Sequence, residues 1–286
     1  MVSEANRSSK GAAASDLLRE EIILRADPAR WMERAFSKPD EWQRNVLRDT
    51  ASRIAILAPR QSGKSQTIAS RVAHTALYKR DRTGGATTSL IAAPSERQAI
   101  LLLKKAKELL LGMGHKFIKD TQSEVIIEAS GGQIVALPTG ADAAATARGY
   151  TVSGCLVIDE YGFVSQIEEV IAVLAPMVTV HRADFIAISS ASFEGDSWHQ
   201  IMTGLKPAWK TYNIDVAECP RLTEDVLEDL KGELGPMRYA REVLNQFSVE
   251  GFSPISLEMF RRSADGEGIP AHLTYDPLEL MREGLH

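Results

Sequence analysis

Gly63, Lys64 and Ser65 stand in a row and carry the groups that can hold a nucleoside triphosphate. The lysine ammonium reaches β- and γ-phosphates, the serine hydroxyl offers an oxygen to Mg²⁺, and the small loop lets backbone N–H groups close on anionic oxygens. The flanking residues supply the context this chemistry needs. Arg53 to Ala58 (RIAILA) is an apolar run of strand length that breaks at Pro59, and QTIASRVAHTALYKR after Ser65 reads as a helix. Strand, loop, Lys-Ser and helix is the order a phosphate-binding P-loop requires, because the helix N-terminus then aims its free N–H groups at the phosphates. The full pattern GxxxxGK[ST] asks for Gly at position 58, where this chain has Ala58. Arg60, Gln61, Ser62, Gly63, Lys64 and Ser65 are the candidate nucleotide-binding residues.

A second stretch supplies acids. Cys155 to Ile158 is apolar and ends in Asp159-Glu160. In an open α/β sheet ligands bind at the carboxyl ends of strands, so this pair and the P-loop can converge. Asp159 would then hold Mg²⁺, and Glu160 would polarise the attacking water. Two solvated acids at a strand end are the alternative; a position 95 residues after Lys64, with strands and helices alternating between, favours catalysis. Another apolar strand, ADFIAISSAS, ends in Ser189-Ser190-Ala191-Ser192. Hydroxyls there can sense loss of a γ-phosphate by exchanging hydrogen bonds, and they also suit a plain turn. Trp42-Gln43 lies about twenty residues before Lys64. A glutamine amide both donates and accepts, which suits an adenine edge; anchoring a helix is the competing use.

These groups need a scaffold, and the composition allows one. The chain has 286 residues, 44% hydrophobic and 25% charged, enough for one large α/β domain or two smaller ones. Its net charge of −5 gives no global signature of a nucleic-acid binder. Local basic clusters remain (Arg80-Asp81-Arg82, Lys104-Lys105-Lys107, Arg261-Arg262), each of which also reads as a solvated face. Cys155 and Cys219 are isolated, which excludes a disulfide framework and suits a reduced, cytoplasmic setting. The first sixteen residues lack an apolar signal core, and the longest apolar run, Val170 to Val180, contains Pro176 and is too short to span a bilayer.

The fold class implied is α/β: a P-loop NTPase of RecA-like (ASCE) type, with a mostly parallel central sheet, helices on both faces and a small helical lid or linker subdomain. Residues 1–14 form a tail expected to be disordered, 15–215 the ATPase core, 216–250 the lid and 251–286 a tail without periodicity. Within the core, Leu17, Leu18, Ile22, Ile23 and Leu24 mark an apolar helix face before Pro28. TTSLIAAPS is a strand, followed by a helix with Ser95 as N-cap and Gly112 or Gly114 at its end. SEVIIEAS and GGQIVALPT read as two strands with a glycine turn, GADAAATARGYTVS as a flexible connection, and FVSQIEEVIAVLAPMV as a helix.

Taken in order, several segments resemble the large terminase subunit, the ATPase that packages DNA into tailed-phage capsids. EWQRNVLRD resembles that family's adenine-reading segment, and APRQSGKS its variant P-loop with a small residue for the first glycine. AAPSERQA, ARGYTVSGCLVIDEYGFV and REVLNQFSVEG are similar to later segments. ISSAS occupies the place of the coupling motif, with Ala191 where many members have proline. The resemblance covers residues 30–250. It implies a Mg²⁺-dependent ATPase with Gln43 on adenine, Lys64 and Ser65 on phosphate and Mg²⁺, Asp159 as metal-side acid, Glu160 as catalytic base, and Ser189, Ser190 and Ala191 in coupling. Arg60 and Arg148 are the candidate arginines for stabilising charge on the transferring phosphoryl group, a task worth roughly 10³–10⁵ in turnover. Arg148 would act in trans on a neighbour and Arg60 as a sensor.

The resemblance further implies double-stranded DNA bound without sequence preference, a portal protein and a small terminase subunit as partners, a ring of five copies, and action in the host cytoplasm at the procapsid portal. Family members carry a C-terminal nuclease, and the 35 residues after Gly251 cannot form its sheet, so no nuclease activity is expected of this chain. A helicase-like NTPase and a catalytically weak nucleotide-binding assembly module are the alternatives. Hydrolysis by the chain, and its loss in Glu160→Ala, separates them.

Overall fold

The computed structural model describes residues 15–139 and 149–249. Helix α1 spans 15–26 and stops before Asp27, whose side chain caps α2 (Pro28–Ala35) by accepting from the Ala29 and Arg30 N–H groups. Helix α3 (Glu41–Arg48) follows with a capping box between Asp40 and Gln43. Strand β1 (Arg53–Leu57) leads through the phosphate loop into α4 (Lys64–Tyr78). Next come β2 (Thr88–Ala93), α5 (Glu96–Gly112), β3 (Phe117–Asp120), β4 (Glu124–Ile127) and β5 (Gln133–Pro138). Then follow β6 (Cys155–Asp159), α6 (Ile167–His181), β7 (Asp184–Ser189), α7 (Ser197–Met202), β8 (Lys210–Asn213) and α8 (Glu224–Glu242). The described residues up to Phe247 form one compact unit, and a second begins at Ser248.

The strands form one sheet in the order β3-β4-β5-β2-β6-β7-β1-β8. The six from β5 to β8 are mutually parallel, and β3 and β4 add an antiparallel edge. Parallel strands covered on both faces read as continuous apolar runs. Ile54 and Ile56 of β1 join the cluster under α2–α5 with Trp31, Trp42, Ile68 and Leu103. Ala55 and Leu57 face the other layer with Leu174 of α6 and Trp198 of α7. Among the described residues no helix is long and apolar enough to cross a membrane.

Two expectations change. The apolar face assigned to α1 is mostly in solvent: Leu24 is buried, whereas Leu17, Leu18, Ile22 and Ile23 are exposed. Its contacts to the rest of the fold include Glu20 with Arg34 and the Leu24 carbonyl with His74. Strand β3 was not foreseen; its short run alternates weakly, and it is held by Lys107 of α5, which pairs with Asp120 and donates to the Thr121 carbonyl. Helix α5 starts at Ser95 as expected, and Gly114 takes the left-handed turn beyond its end.

Close packing makes one glycine sensitive. A Cβ on Gly132 would lie 1.9 Å from the Ala76 carbonyl oxygen, a backbone atom of α4 that cannot step aside. Gly132→Ala is expected to lower stability by about 1–3 kcal/mol in urea melts, with the ATP site's own residues untouched.

His74 makes a second prediction. Its Nε2 donates to the Leu24 carbonyl at 3.0 Å, and the Trp31 and Tyr78 rings lie against it. Burial, assisted by the Arg71 charge, lowers its pKa to about 4. A neutral imidazole in the fold and a protonatable one in the unfolded chain give stability that is full above about pH 6.5 and lost as pH falls through about 4. The loss between pH 7 and 5 should be about 2 kcal/mol. His74→Gln should flatten that slope; an unchanged slope would assign it elsewhere.

Candidate active site

Strand order brings the catalytic segments together. Strand β7 lies between β1 and β6 and parallel to both, so the phosphate loop, the Ser189–Ser192 run and the Asp159–Glu160 pair emerge side by side at the carboxyl ends of the strands. Sequence alone could not order three parallel strands. Direct bonds join the three. The Ala58 N–H donates to the Ser189 carbonyl at 3.1 Å, and the Gly162 N–H donates to Ser189 Oγ at 3.2 Å. Ser189 thus touches both the entry to the phosphate loop and the turn after Glu160. The Ser190 carbonyl accepts from Trp198 Nε1, and Ala191 is fully buried.

The loop itself departs from ordinary backbone geometry at Gln61 (φ 62°) and Gly63 (φ 93°). Glycine adopts such a φ freely, whereas Gln61 pays a strain of about 1–3 kcal/mol. Lys64 then opens α4, and Ser65 is the next residue of its first turn, where free N–H groups favour anions. Behind the loop, Gln43 is buried. Its Oε1 accepts from the Asp40 N–H and its Nε2 donates to Thr67 Oγ1, which donates in turn to the Gly63 carbonyl. Both ends of the amide therefore brace α3 against the loop.

Lys64 Nζ sits 3.3 Å from Glu160 Oε1, with the lysine side chain 9% exposed. Glu160 takes a left-handed conformation (φ 51°) that turns its carboxylate toward the lysine. Asp159 is buried, and its Oδ1 accepts from the Glu160 N–H at 3.1 Å. Burial, then the neighbouring Glu160 charge, raise its pKa to about 6 against the opposing pull of Lys64. Two adjacent carboxylates with one ammonium between them suit a divalent cation. Mg²⁺ takes one or two carboxylates, a hydroxyl, waters and substrate phosphates rather than an all-protein cage. No cluster of three or more acidic, His or Cys side chains that could hold a metal ion is found among the described residues. Asp159, buried at the end of β6, and Ser65, in the first turn of α4, carry oxygen donors of the kind such an ion takes.

Arg60 is tied to the end of α8. Its N–H donates to the Glu242 carbonyl at 2.7 Å, and its guanidinium pairs with the Glu242 carboxylate at the end of α8. Arg148 lies outside the described residues. Three participants gave no signal in the sequence. Arg221 donates to the Ser62 carbonyl and to Asp40 Oδ2, so close that a Cβ on Gly63 would lie 2.0 Å from its Nη1. Thr67 and Glu242 are the others; nothing in their neighbourhoods marks them, because their partners Gln43 and Arg60 are 24 and 182 positions away. A cleft of about 550 Å³ at the opposite end of the strands is lined by His74, Lys79 and Asp184. Asp184 there already pairs with Arg71 and Lys79.

Comparisons with known proteins agree with this geometry. Residues 55–262 match the family model of the terminase large subunit, T4-like-virus type, N-terminal. No curated protein matches. Among solved structures, the large terminase ATPase domain of Thermus phage P74-26 is similar with a TM-score of 0.60 at 16% identity, over 75% of this chain and 96% of that one. A large terminase from a thermophilic bacteriophage, in complex with ATP-gamma-S, is similar with a TM-score of 0.60 at 13% identity, over 73% of this chain and 53% of that one. The HK97 bacteriophage large terminase gives a TM-score of 0.57 at 16% identity, over 77% and 54%. The chain thus spans about half the length of these last two relatives. With the P-loop, the Asp159–Glu160 strand and the strand between them in the matched region, the chain belongs to the terminase large-subunit family, of which it carries the ATPase domain.

Proposed function

We propose that this chain is a Mg²⁺-dependent ATPase that drives double-stranded DNA into a procapsid. The observation that carries the reading is the contact between Lys64 and Glu160 across the β1 and β6 strand ends, 3.3 Å apart. The thermophilic-phage relative is seen in complex with ATP-gamma-S; in this chain the phosphate loop takes ATP. Lys64 leaves Glu160 for the phosphates, which frees the carboxylate to accept a proton from the attacking water. Ser65 and Asp159 hold Mg²⁺, which when bound neutralises charge on the phosphate oxygens. Gln61, Ser62 and Gly63 wrap the phosphates with backbone N–H groups, and Gln43 sets the adenine end by fixing Thr67 and α3.

Ser189, hydrogen-bonded to both neighbouring loops, passes loss of the γ-phosphate to the lid at 216–250, and Arg60 senses it from the P-loop side. Arg148 reaches the neighbouring copy of a five-membered ring as an arginine finger. DNA is gripped by its phosphates, hence with marked salt sensitivity and no sequence preference. A portal protein and a small terminase subunit complete the assembly in the host cytoplasm.

The test is Mg²⁺-dependent ATP hydrolysis as a function of protein concentration, with and without duplex DNA. A specific rate that climbs with concentration and collapses in Arg148→Ala supports a ring with a shared site. A rate independent of concentration and untouched by Arg148→Ala overturns the trans assignment. ATP bound but never hydrolysed, at any concentration, overturns the motor reading in favour of an assembly module.

A further inference from the structure

Helix α8 buries none of its nineteen residues fully and breaks at Gly235 (φ 71°, ψ 165°); Val226 and Leu227 rest against the core before the break, and a second attachment lies where the helix ends. There the guanidinium of Arg241 lies between two aromatic rings, 5.6 Å from the centroid of Phe163 and 5.6 Å from that of Phe193. Phe163 closes the turn three residues after Glu160. Phe193 directly follows the Ser189–Ser192 run. Arg241 Nε is buried without a hydrogen-bond partner, so the rings, and not a carboxylate or carbonyl, are what that edge of the cation meets. A flat, weakly hydrated guanidinium suits such a slot, and a compact, strongly hydrated ammonium does not.

The neighbouring residues extend the attachment. Glu242 holds Arg60 of the phosphate loop, Val243 is fully buried, and Asn245 Nδ2 donates to the Ile214 carbonyl just beyond β8. Within five residues, Arg241, Glu242 and Asn245 thus reach the phosphate loop, the turn after β6, the segment after β7 and the end of β8. Among these residues it is Arg241 that meets both the loop after Glu160, the proposed base, and the segment after the hydroxyl run.

We propose that Arg241 is a positioning residue for ATP turnover. Clamped between Phe163 and Phe193, it links the relative position of the two loops to the end of the lid helix, and through Glu242 to Arg60. A shift of either loop then moves the lid, and a displaced lid misplaces the loops. The proposal rests on the ATPase reading above and adds to it the residue through which the lid is driven.

The experiment measures ATP hydrolysis and ATP-gamma-S affinity for the full chain, as wild type, Arg241→Lys, Arg241→Ala and the double variant Phe163→Leu/Phe193→Leu. Loss of two ring contacts to one cation should lower kcat about 10-fold, with KM and affinity within about 2-fold. Lysine should not rescue, because charge without planarity cannot fill the slot. Adding Arg241→Ala to the double variant should cost nothing more, since all three side chains form one contact. ATP-gamma-S should protect residues 236–245 from hydrogen exchange in the wild type and fail to do so in Arg241→Ala, while protection of the phosphate loop persists. Wild-type kcat in Arg241→Ala, full rescue by lysine, or additive losses would each overturn the clamp alone. A wild type that binds no ATP would overturn the ATPase reading and the clamp with it.

Discussion

Glu160→Gln should lower ATP turnover by roughly 10²–10⁴-fold, the range that a positioned general base contributes. Glutamine keeps the size of the side chain and an oxygen that Lys64 can still approach, so the loop geometry should survive. It cannot take a proton from water. ATP-gamma-S affinity should therefore stay within a few-fold of wild type while kcat falls, and the substituted chain should accumulate bound, uncleaved ATP. Loss of the Glu160 charge also removes one of the two causes that raise the Asp159 pKa, so Asp159 should ionise more readily at mildly acidic pH. Steady-state kinetics beside a filter-binding measurement check both parts. A substituted enzyme that hydrolyses at more than about a tenth of the wild-type rate would place the base elsewhere.

Lys64→Ala should weaken nucleotide binding by roughly 10²–10³-fold, as expected when one partner of a buried, charge-paired contact is cut away. The effect has two sources that can be read separately. The phosphates lose their ammonium, which calorimetry of ATP-gamma-S binding reports directly. The resting site also loses the cation that faces Glu160 at 3.3 Å and offsets Asp159. Asp159 should then hold its proton to a higher pH, and added Mg²⁺ should stabilise the variant more than it does the wild type. Affinity within about 3-fold of wild type would remove the phosphate-binding role from this lysine. Glu160→Gln and Lys64→Ala thus separate the chemical step from binding.

Much of this site was legible before any fold was known, because its chemistry is local in the chain. Gly63, Lys64 and Ser65 must be contiguous for a loop to hand its N–H groups to a helix N-terminus, so the motif survives as a motif. Asp159 and Glu160 announce themselves by closing an apolar run. The parallel sheet followed from strands too apolar to have a solvent face, as in β1 and β6. The Ser95 N-cap is likewise decided within four residues of sequence.

What stayed hidden depends on separations that pattern cannot span. That β7 sits between β1 and β6, and so lets Ser189 touch both active loops, is a matter of strand order, to which periodicity is blind. Gln43 looked free to read a ligand, and only the packed structure shows its amide braced between Asp40 and Thr67. The apolar residues of α1 suggested a buried face, but burial requires a neighbour, and the turn at Asp27–Pro28 leaves Leu17, Leu18 and Ile22 without one among the described residues. Arg221, Arg241 and Glu242 carry charges like many others in the chain. They became part of the site because the chain from Arg221 to Glu242 packs back onto loops some 50 to 180 residues earlier in sequence, and a contact made across that distance leaves no local trace in composition or spacing.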